Sequence, residues 1–208
     1  MNIGIIGAGR VGTTLANAWK RKNHDIYFGV RFPNDRKSTQ LVAKGVQVGT
    51  VAQAASFGEV VVLATPWRAT KSAIQAAGDL SGKLIIDCTN PLKANLSGLD
   101  VPNGSSGAEQ IAGWAKGAKV FKAFNQTGTE NMAAPVIDSQ EAVMFVAGDD
   151  GQGKAAVMQL VTDVGFEVVD AGPLRMARSL EELAVLWIHL AYNAPGLDRN
   201  LAFAILRR

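Results

Sequence analysis

Cysteine occurs once in the 208 residues, at Cys88, and histidine twice, at His24 and His189. A single thiol excludes an internal disulfide and fits a reducing compartment. So few Cys and His residues leave no metal site to expect. Long apolar runs are missing too. The longest, residues 183–192, contains His189 and falls far short of the ~20 residues a membrane helix needs. Charge of one sign is scarce: 21 Lys and Arg against 18 Asp and Glu leave a net charge of +3. No basic stripe interleaved with aromatics is present, so nucleic acid is not an expected partner. The amino terminus has no basic region ahead of its apolar stretch, which glycines interrupt. It does not read as a signal peptide, and the expected location is cytoplasmic, away from membranes. No Ser-His-Asp, Cys-His or paired-carboxylate pattern is visible, so no catalytic acid or base is assigned.

What is present begins at the third residue. The apolar run Ile3-Gly4-Ile5-Ile6 leads directly into Gly7-Ala8-Gly9-Arg10-Val11-Gly12. A strand ending in G-x-G-x-x-G and turning into an amphipathic helix (Val11, Leu15, Ala18, Trp19) is the dinucleotide fingerprint in its proper context. Gly7 allows the tight turn, Gly9 lets backbone approach a pyrophosphate, and Gly12 lets helix and strand pack closely. The pyrophosphate is expected on the free amides at the helix amino terminus.

An NAD site usually carries a carboxylate about 20 residues beyond the motif, for the ribose hydroxyls. Here the strand Ile26-Tyr27-Phe28-Gly29-Val30 ends in Arg31, with Arg36 and Lys37 close behind. A guanidinium holds a phosphate through two parallel hydrogen bonds. The expected cofactor is therefore NADP, with Arg31, and less directly Arg36, on its 2′-phosphate.

Strand and helix signals alternate along the whole chain. They predict an α/β fold, a doubly wound parallel sheet of the Rossmann kind with a short C-terminal helical extension. Residues 1–208 read as one domain, with an α/β core over 1–172 and a helical segment over 173–208. Ligands of such sheets bind outside the carboxyl ends of the strands. Four strand ends are expected to converge: the glycine motif, Thr65-Pro66-Trp67, Thr89-Asn90-Pro91 and Asn125-Gln126-Thr127. Pro66 and Pro91 are expected where the nicotinamide lies, and Asn125 as a donor to a ring carbonyl. Bulk at Gly128 is expected to hinder a ring acceptor.

Other features receive plainer readings. Gly148-Asp-Asp-Gly-Gln-Gly-Lys154-Ala155 approaches a triphosphate loop but lacks the final hydroxyl, and reads as a loop with a helix cap. Ser106-x-x-Glu109 reads as a capping box. His24 is expected in a surface turn and Cys88 in core packing. His189 sits in a helix apolar on every face, so the core or a second subunit should bury it. A homodimer joined at residues 183–192 is the expected assembly. A further short helix is expected after Pro195.

The strand ends also resemble a known family. The carriers are the glycine motif at 7–12, Gly29-Val30-Arg31, Ala64-Thr65-Pro66-Trp67, Lys122-Ala123-Phe124-Asn125, Ala147-Gly148-Asp149-Asp150 and Asp170-Ala171-Gly172-Pro173-Leu174. Across nearly its whole length the chain resembles the NADP-dependent oxidoreductases of the deazaflavin coenzyme F-420. It also resembles the related cytosolic domain of six-transmembrane ferric reductases. The resemblance implies hydride transfer between NADPH and a flavin-like ring, either coenzyme F-420 or FAD/FMN. It places Ala8, Gly9, Arg10 and Val11 on the pyrophosphate and Thr65 and Pro66 beside the nicotinamide. The chain departs from the archaeal F-420 enzymes at Val30, where they tend to carry Ser. It also departs at Thr89-Asn90-Pro91-Leu92, in place of Ser-Pro-Leu, and at Asn125-Gln126-Thr127-Gly128, in place of His-Thr-Ile-Pro. The last two lie on the acceptor side and leave the hydride partner open. Two other readings stay beside it. One is an NADPH-dependent reductase of a small carbonyl or imine, against which the short segment after Gly172 counts. The other is a non-catalytic NADP-sensing protein.

Overall fold

The computed structural model describes residues 1–208. Its first half alternates strictly: β1 (Asn2–Ile6), α1 (Arg10–Lys20), β2 (Asp25–Gly29), α2 (Arg36–Val42), β3 (Gln47–Gly49), α3 (Val51–Phe57), β4 (Val60–Leu63) and α4 (Trp67–Ala77). Then follow β5 (Leu84–Asp87), α5 (Gly107–Trp114), β6 (Lys119–Lys122), α6 (Thr129–Ala133) and a small hairpin of β7 (Val136–Ile137) and β8 (Gln140–Glu141). The chain ends through β9 (Val143–Gly148), α7 (Gly151–Val164), β10 (Glu167–Gly172) and α8 (Ala177–Asn193).

Eight strands form one sheet in the order β3-β2-β1-β4-β5-β6-β9-β10. The first six reproduce the doubly wound order, whose direction reverses between β1 and β4. Central strands carry unbroken apolar runs because both faces are covered: Val60 to Leu63 in β4 are all buried. Trp19 fills the space between α1 and α7 and donates its indole N–H to the Leu160 carbonyl at 2.8 Å.

Four details depart from the sequence reading. β9 runs antiparallel to β6, with Phe121 opposite Gly148, and β10 follows β9 in parallel. The sheet is therefore mostly, not wholly, parallel. No helix follows Pro195; the chain turns and then extends, and the Phe203 carbonyl accepts from the Val143 amide at 2.8 Å. His24 is not a free surface residue. Its side chain is only 9% exposed and its Nε2 lies 2.9 Å from Asp163 Oδ2. His189 is exposed, so the fold's own core does not bury it.

The caps follow the expected chemistry. Ser106 Oγ accepts from the Glu109 amide at 3.1 Å, but Glu109 returns its carboxylate to the Ser106 hydroxyl rather than to the backbone, and binds Arg178. Asp150 caps α7 by accepting from the Gly153 amide at 2.7 Å. No helix of the molecule is long and apolar enough to cross a membrane.

Candidate functional site

The reversal of strand order puts the ends of β1 and β4 side by side, and a cleft opens there. It encloses about 570 Å³ and is lined by Gly7, Ala8, Arg31, Thr65 and Ser72 among others. Gly7 has φ 110, and a Cβ on it would lie 2.6 Å from the Ala64 carbonyl oxygen. A Cβ on Gly12 would lie 2.2 Å from the Gly7 carbonyl oxygen, so any larger residue pushes α1 off β1. Around Gly9 the space is open to at least 4 Å. α1 has no side-chain cap, and the amides of Arg10, Val11 and Gly12 carry no hydrogen bond. A bare helix amino terminus beside an open glycine is a fitting seat for an anion. Ala8 and Val11 are half-buried and pack on the core beneath it.

Arg31 stands just past β2 on the cleft wall, exposed, with its guanidinium 5.2 Å from the Phe32 ring centroid. Arg36 opens α2, exposed and outside the cleft lining. Thr65 holds its hydroxyl 3.0 Å from that of Thr70. Pro66 caps α4 and is exposed.

Asn90, Pro91 and Asn125 lie at the neighbouring carboxyl ends of β5 and β6. Asn90 donates its amide to the Asn125 carbonyl at 2.8 Å, and Asn125 donates back to Asn90 Oδ1 at 3.0 Å. Asn125 donates its other amide hydrogen to the Leu180 carbonyl of α8 at 2.9 Å. Both hydrogens are thus committed. The donor role expected of Asn125 is replaced by an acceptor: its Oδ1 is buried and unpartnered. Gln126 beside it is 1% exposed, and neither end of its amide has a partner. Buried polar groups are nearly always paired, so three enclosed atoms without partners on two adjacent residues are an exception in this fold. Phe124, fully buried, introduces them with φ 60, the kind of strained backbone that functional sites retain. Gly128 does not face an open crevice: a Cβ there would lie 2.9 Å from the Trp187 ring. Bulk at Gly128 would therefore press on the Glu130 carboxylate and the Trp187 ring before it met any ligand.

The sequence reading found no paired carboxylates, yet the fold builds a pair. Asp87 and Lys122 end β5 and β6 and face each other in register. Lys122 Nζ lies 2.8 Å from Asp87 Oδ2, 2.8 Å from Glu181 Oε1 and 2.6 Å from the Thr89 carbonyl. All three charged side chains are fully buried. Burial alone would lower the Lys122 ammonium; Asp87 and Glu181 outweigh it and hold the pKa above the ordinary value. Burial pushes Glu181 upward against the pull of Lys122. Glu181 also accepts from the Gly107 and Ala108 amides at 2.9 and 3.2 Å, where the amino terminus of α5 offsets its charge. The signal in the sequence is a charged residue closing each of the neighbouring strands β5 and β6. Cys88 lies next to this group, and burial pushes its thiol up, so it packs rather than reacts.

On the other side of the glycine motif, Arg10 donates to Glu130 Oε1 at 2.9 Å, and Arg199 grips both oxygens of the same carboxylate at 3.0 and 2.9 Å. The Arg199 hydrogen bonds, chiefly, hold the Glu130 carboxyl down to about 2. A smaller hollow of about 330 Å³ between Gln75 and Lys116 lies at the opposite, amino end of the strands.

Cleft, glycine turn and bare helix end together define a dinucleotide-binding domain of the Rossmann class. Residues 2–91 match the family model described as NADP oxidoreductase, coenzyme F420-dependent. A solved structure from Arthrobacter sp. FB24, a candidate F420-dependent NADP-reductase, is 32% identical, covers 100% of both chains and superposes with a TM-score of 0.89. The chain belongs to this family of NADP oxidoreductases. Metalloreductase STEAP3 of Rattus norvegicus is 27% identical over 87% of the chain. The chain spans 36% of the length of that relative. An imine reductase from Aspergillus terreus shares the fold, at 23% identity and a TM-score of 0.68, with 89% of this chain and 60% of that one covered.

Proposed function

We propose that this chain transfers hydride between NADPH and a ring acceptor, either the deazaflavin coenzyme F-420 or a flavin. The observation that carries the NADP half is Arg31. It stands on the cleft wall at the end of β2, where an NAD site would offer a carboxylate. Gly7, Ala8, Gly9, Arg10 and Val11 receive the pyrophosphate, and Arg31, with Arg36 behind it, receives the 2′-phosphate. Thr65 and Pro66 flank the nicotinamide. The strand ends that carry Asn90, Pro91 and Asn125 are the seat we propose for the second ring, whose entry would uncover the enclosed polar atoms of Asn125 and Gln126. Redox chemistry then belongs to the two cofactors, and the protein's task is to hold their rings within about 3–3.5 Å of each other.

The test is the loss of NADPH absorbance by purified protein with coenzyme F-420, FMN, FAD and ferric chelates in turn. Turnover is expected with at least one ring acceptor. Silence across the deazaflavins and flavins would retire the ring-acceptor reading and leave the dinucleotide site alone. Similarity to a metalloreductase and to an imine reductase makes the chelates and a cyclic imine useful additional arms.

The assembly we propose is a homodimer joined at α8. Leu186 and Tyr192 are 49% and 57% exposed on that helix, with Leu197 at 45% just beyond it. Exposed apolar side chains on and just beyond one helix suit a self-complementary interface. Light scattering in dilute solution is expected to return twice the mass of 21.9 kDa. A monomer would leave the helix as an ordinary half-covered face.

A further inference from the structure

Glu130 is the most heavily engaged carboxylate near the glycine motif, and its engagement is lopsided. Arg199 reaches it through two nitrogens, Nε to Oε1 and NH2 to Oε2, and Tyr192 supports Arg199 by accepting from its NH1. Arg10 reaches it through one nitrogen. The Arg10 side chain is 75% exposed, whereas Arg199 and Glu130 are 31% and 29% exposed. Thr129 donates its hydroxyl to Glu130 Oε2 at 3.3 Å. Arg10 is also the first residue of α1, adjoining the unpaired amides of that helix. An exposed guanidinium held by a single carboxylate contact therefore belongs to the residue that opens the bare helix end.

We propose that Glu130 is a releasable counter-ion for Arg10: it holds the guanidinium in the free protein and yields it to the dinucleotide pyrophosphate, while Arg199 keeps the vacated carboxylate neutralised. This rests on the reading of the α1 amino terminus as the pyrophosphate seat. The exchange trades one charge-assisted hydrogen bond for another of the same kind. Releasing Arg10 costs little because an exposed single contact is weak. Without Arg199, the exchange would leave an ionised carboxylate close to the phosphates, repelling them. Arg199 belongs to the segment after α8, so the end of the chain tunes affinity at a motif at its beginning.

The experiment is a titration of the 208-residue chain with NADPH, for the parent and for Glu130→Gln, Arg199→Ala and the double variant. Glu130→Gln is close to isosteric and should bind about two- to fivefold tighter, a gain that fades at high salt. Arg199→Ala should bind weaker by a similar factor. The double variant should match Glu130→Gln, because nothing is left for Arg199 to neutralise. Weaker or unchanged binding by Glu130→Gln overturns the proposal, since Glu130 would then only position Arg10 or do nothing. Melting curves without nucleotide identify any variant that fails to fold. If Arg199→Ala does, Glu130→Gln decides alone. A parent protein that binds NADPH while Glu130→Gln gains nothing sinks this inference and spares the cofactor assignment. A parent that binds no NADPH sinks both.

Discussion

Lys122→Met should destabilise the fold by about 3–5 kcal/mol, because it leaves two buried carboxylates without their cation. For a domain of this size, that is a fall in melting temperature of roughly 6–20 °C. Methionine fills nearly the same volume, so the loss is electrostatic rather than a cavity. The Thr89 carbonyl also loses its donor, and the loop carrying Asn90 loses an anchor. Neutralising the carboxylates as well, in Lys122→Met with Asp87→Asn and Glu181→Gln, should recover part of the loss. Thermal or denaturant melts decide it. A change below about 1 kcal/mol, the range of an exposed pair, would mean that water reaches the ammonium after all.

Arg31→Asp should abolish the preference for NADPH. We expect the parent protein to bind NADPH at least about tenfold tighter than NADH, since charge-assisted hydrogen bonds to a phosphate are worth about 1.5–3 kcal/mol. The aspartate repels the 2′-phosphate and can accept from the ribose hydroxyls of NADH, so the variant should turn toward NADH. Arg36 stands outside the cleft lining, and its replacement should cost less. Two dissociation constants for each protein test this. Equal values in the parent would remove the NADP assignment and with it the role of Arg31.

The nucleotide half of the site was legible because its parts are local. Gly7, Gly9 and Gly12 lie within one turn and carry their own steric reasons, and Arg31 follows on the adjacent strand. The second half was not legible, because its contacts join distant segments. Glu181 meets Lys122 only when α8 folds back over β6, and no periodicity within α8 announces that a single acid there is buried. Asn125 reads as a donor until Leu180 and Asn90 take its hydrogens. The direction of β9 escaped for a different reason. An apolar strand looks the same from either end, and its polarity is set by where the preceding connection leaves the chain. Here α6 and the hairpin leave it at the carboxyl end of β6. His24 was misjudged because its partner, Asp163, comes from α7 on a distant part of the chain.

That reversed strand decides where the last residues of the molecule lie. Because β9 and β10 run against β6, α8 follows β10 with its first turns at the carboxyl ends of β5 and β6, where Arg178 meets Glu109 and Glu181 meets Lys122. The last residues return to the same end, where Phe203 meets the start of β9 and Arg207 pairs with Glu167 at the start of β10. Met1 lies at the opposite end, ahead of β1. A tag or fused domain joined ahead of Met1 would emerge remote from the dinucleotide cleft. The same cargo after Arg208 would crowd the cofactor side and pull on the segment that carries Arg199.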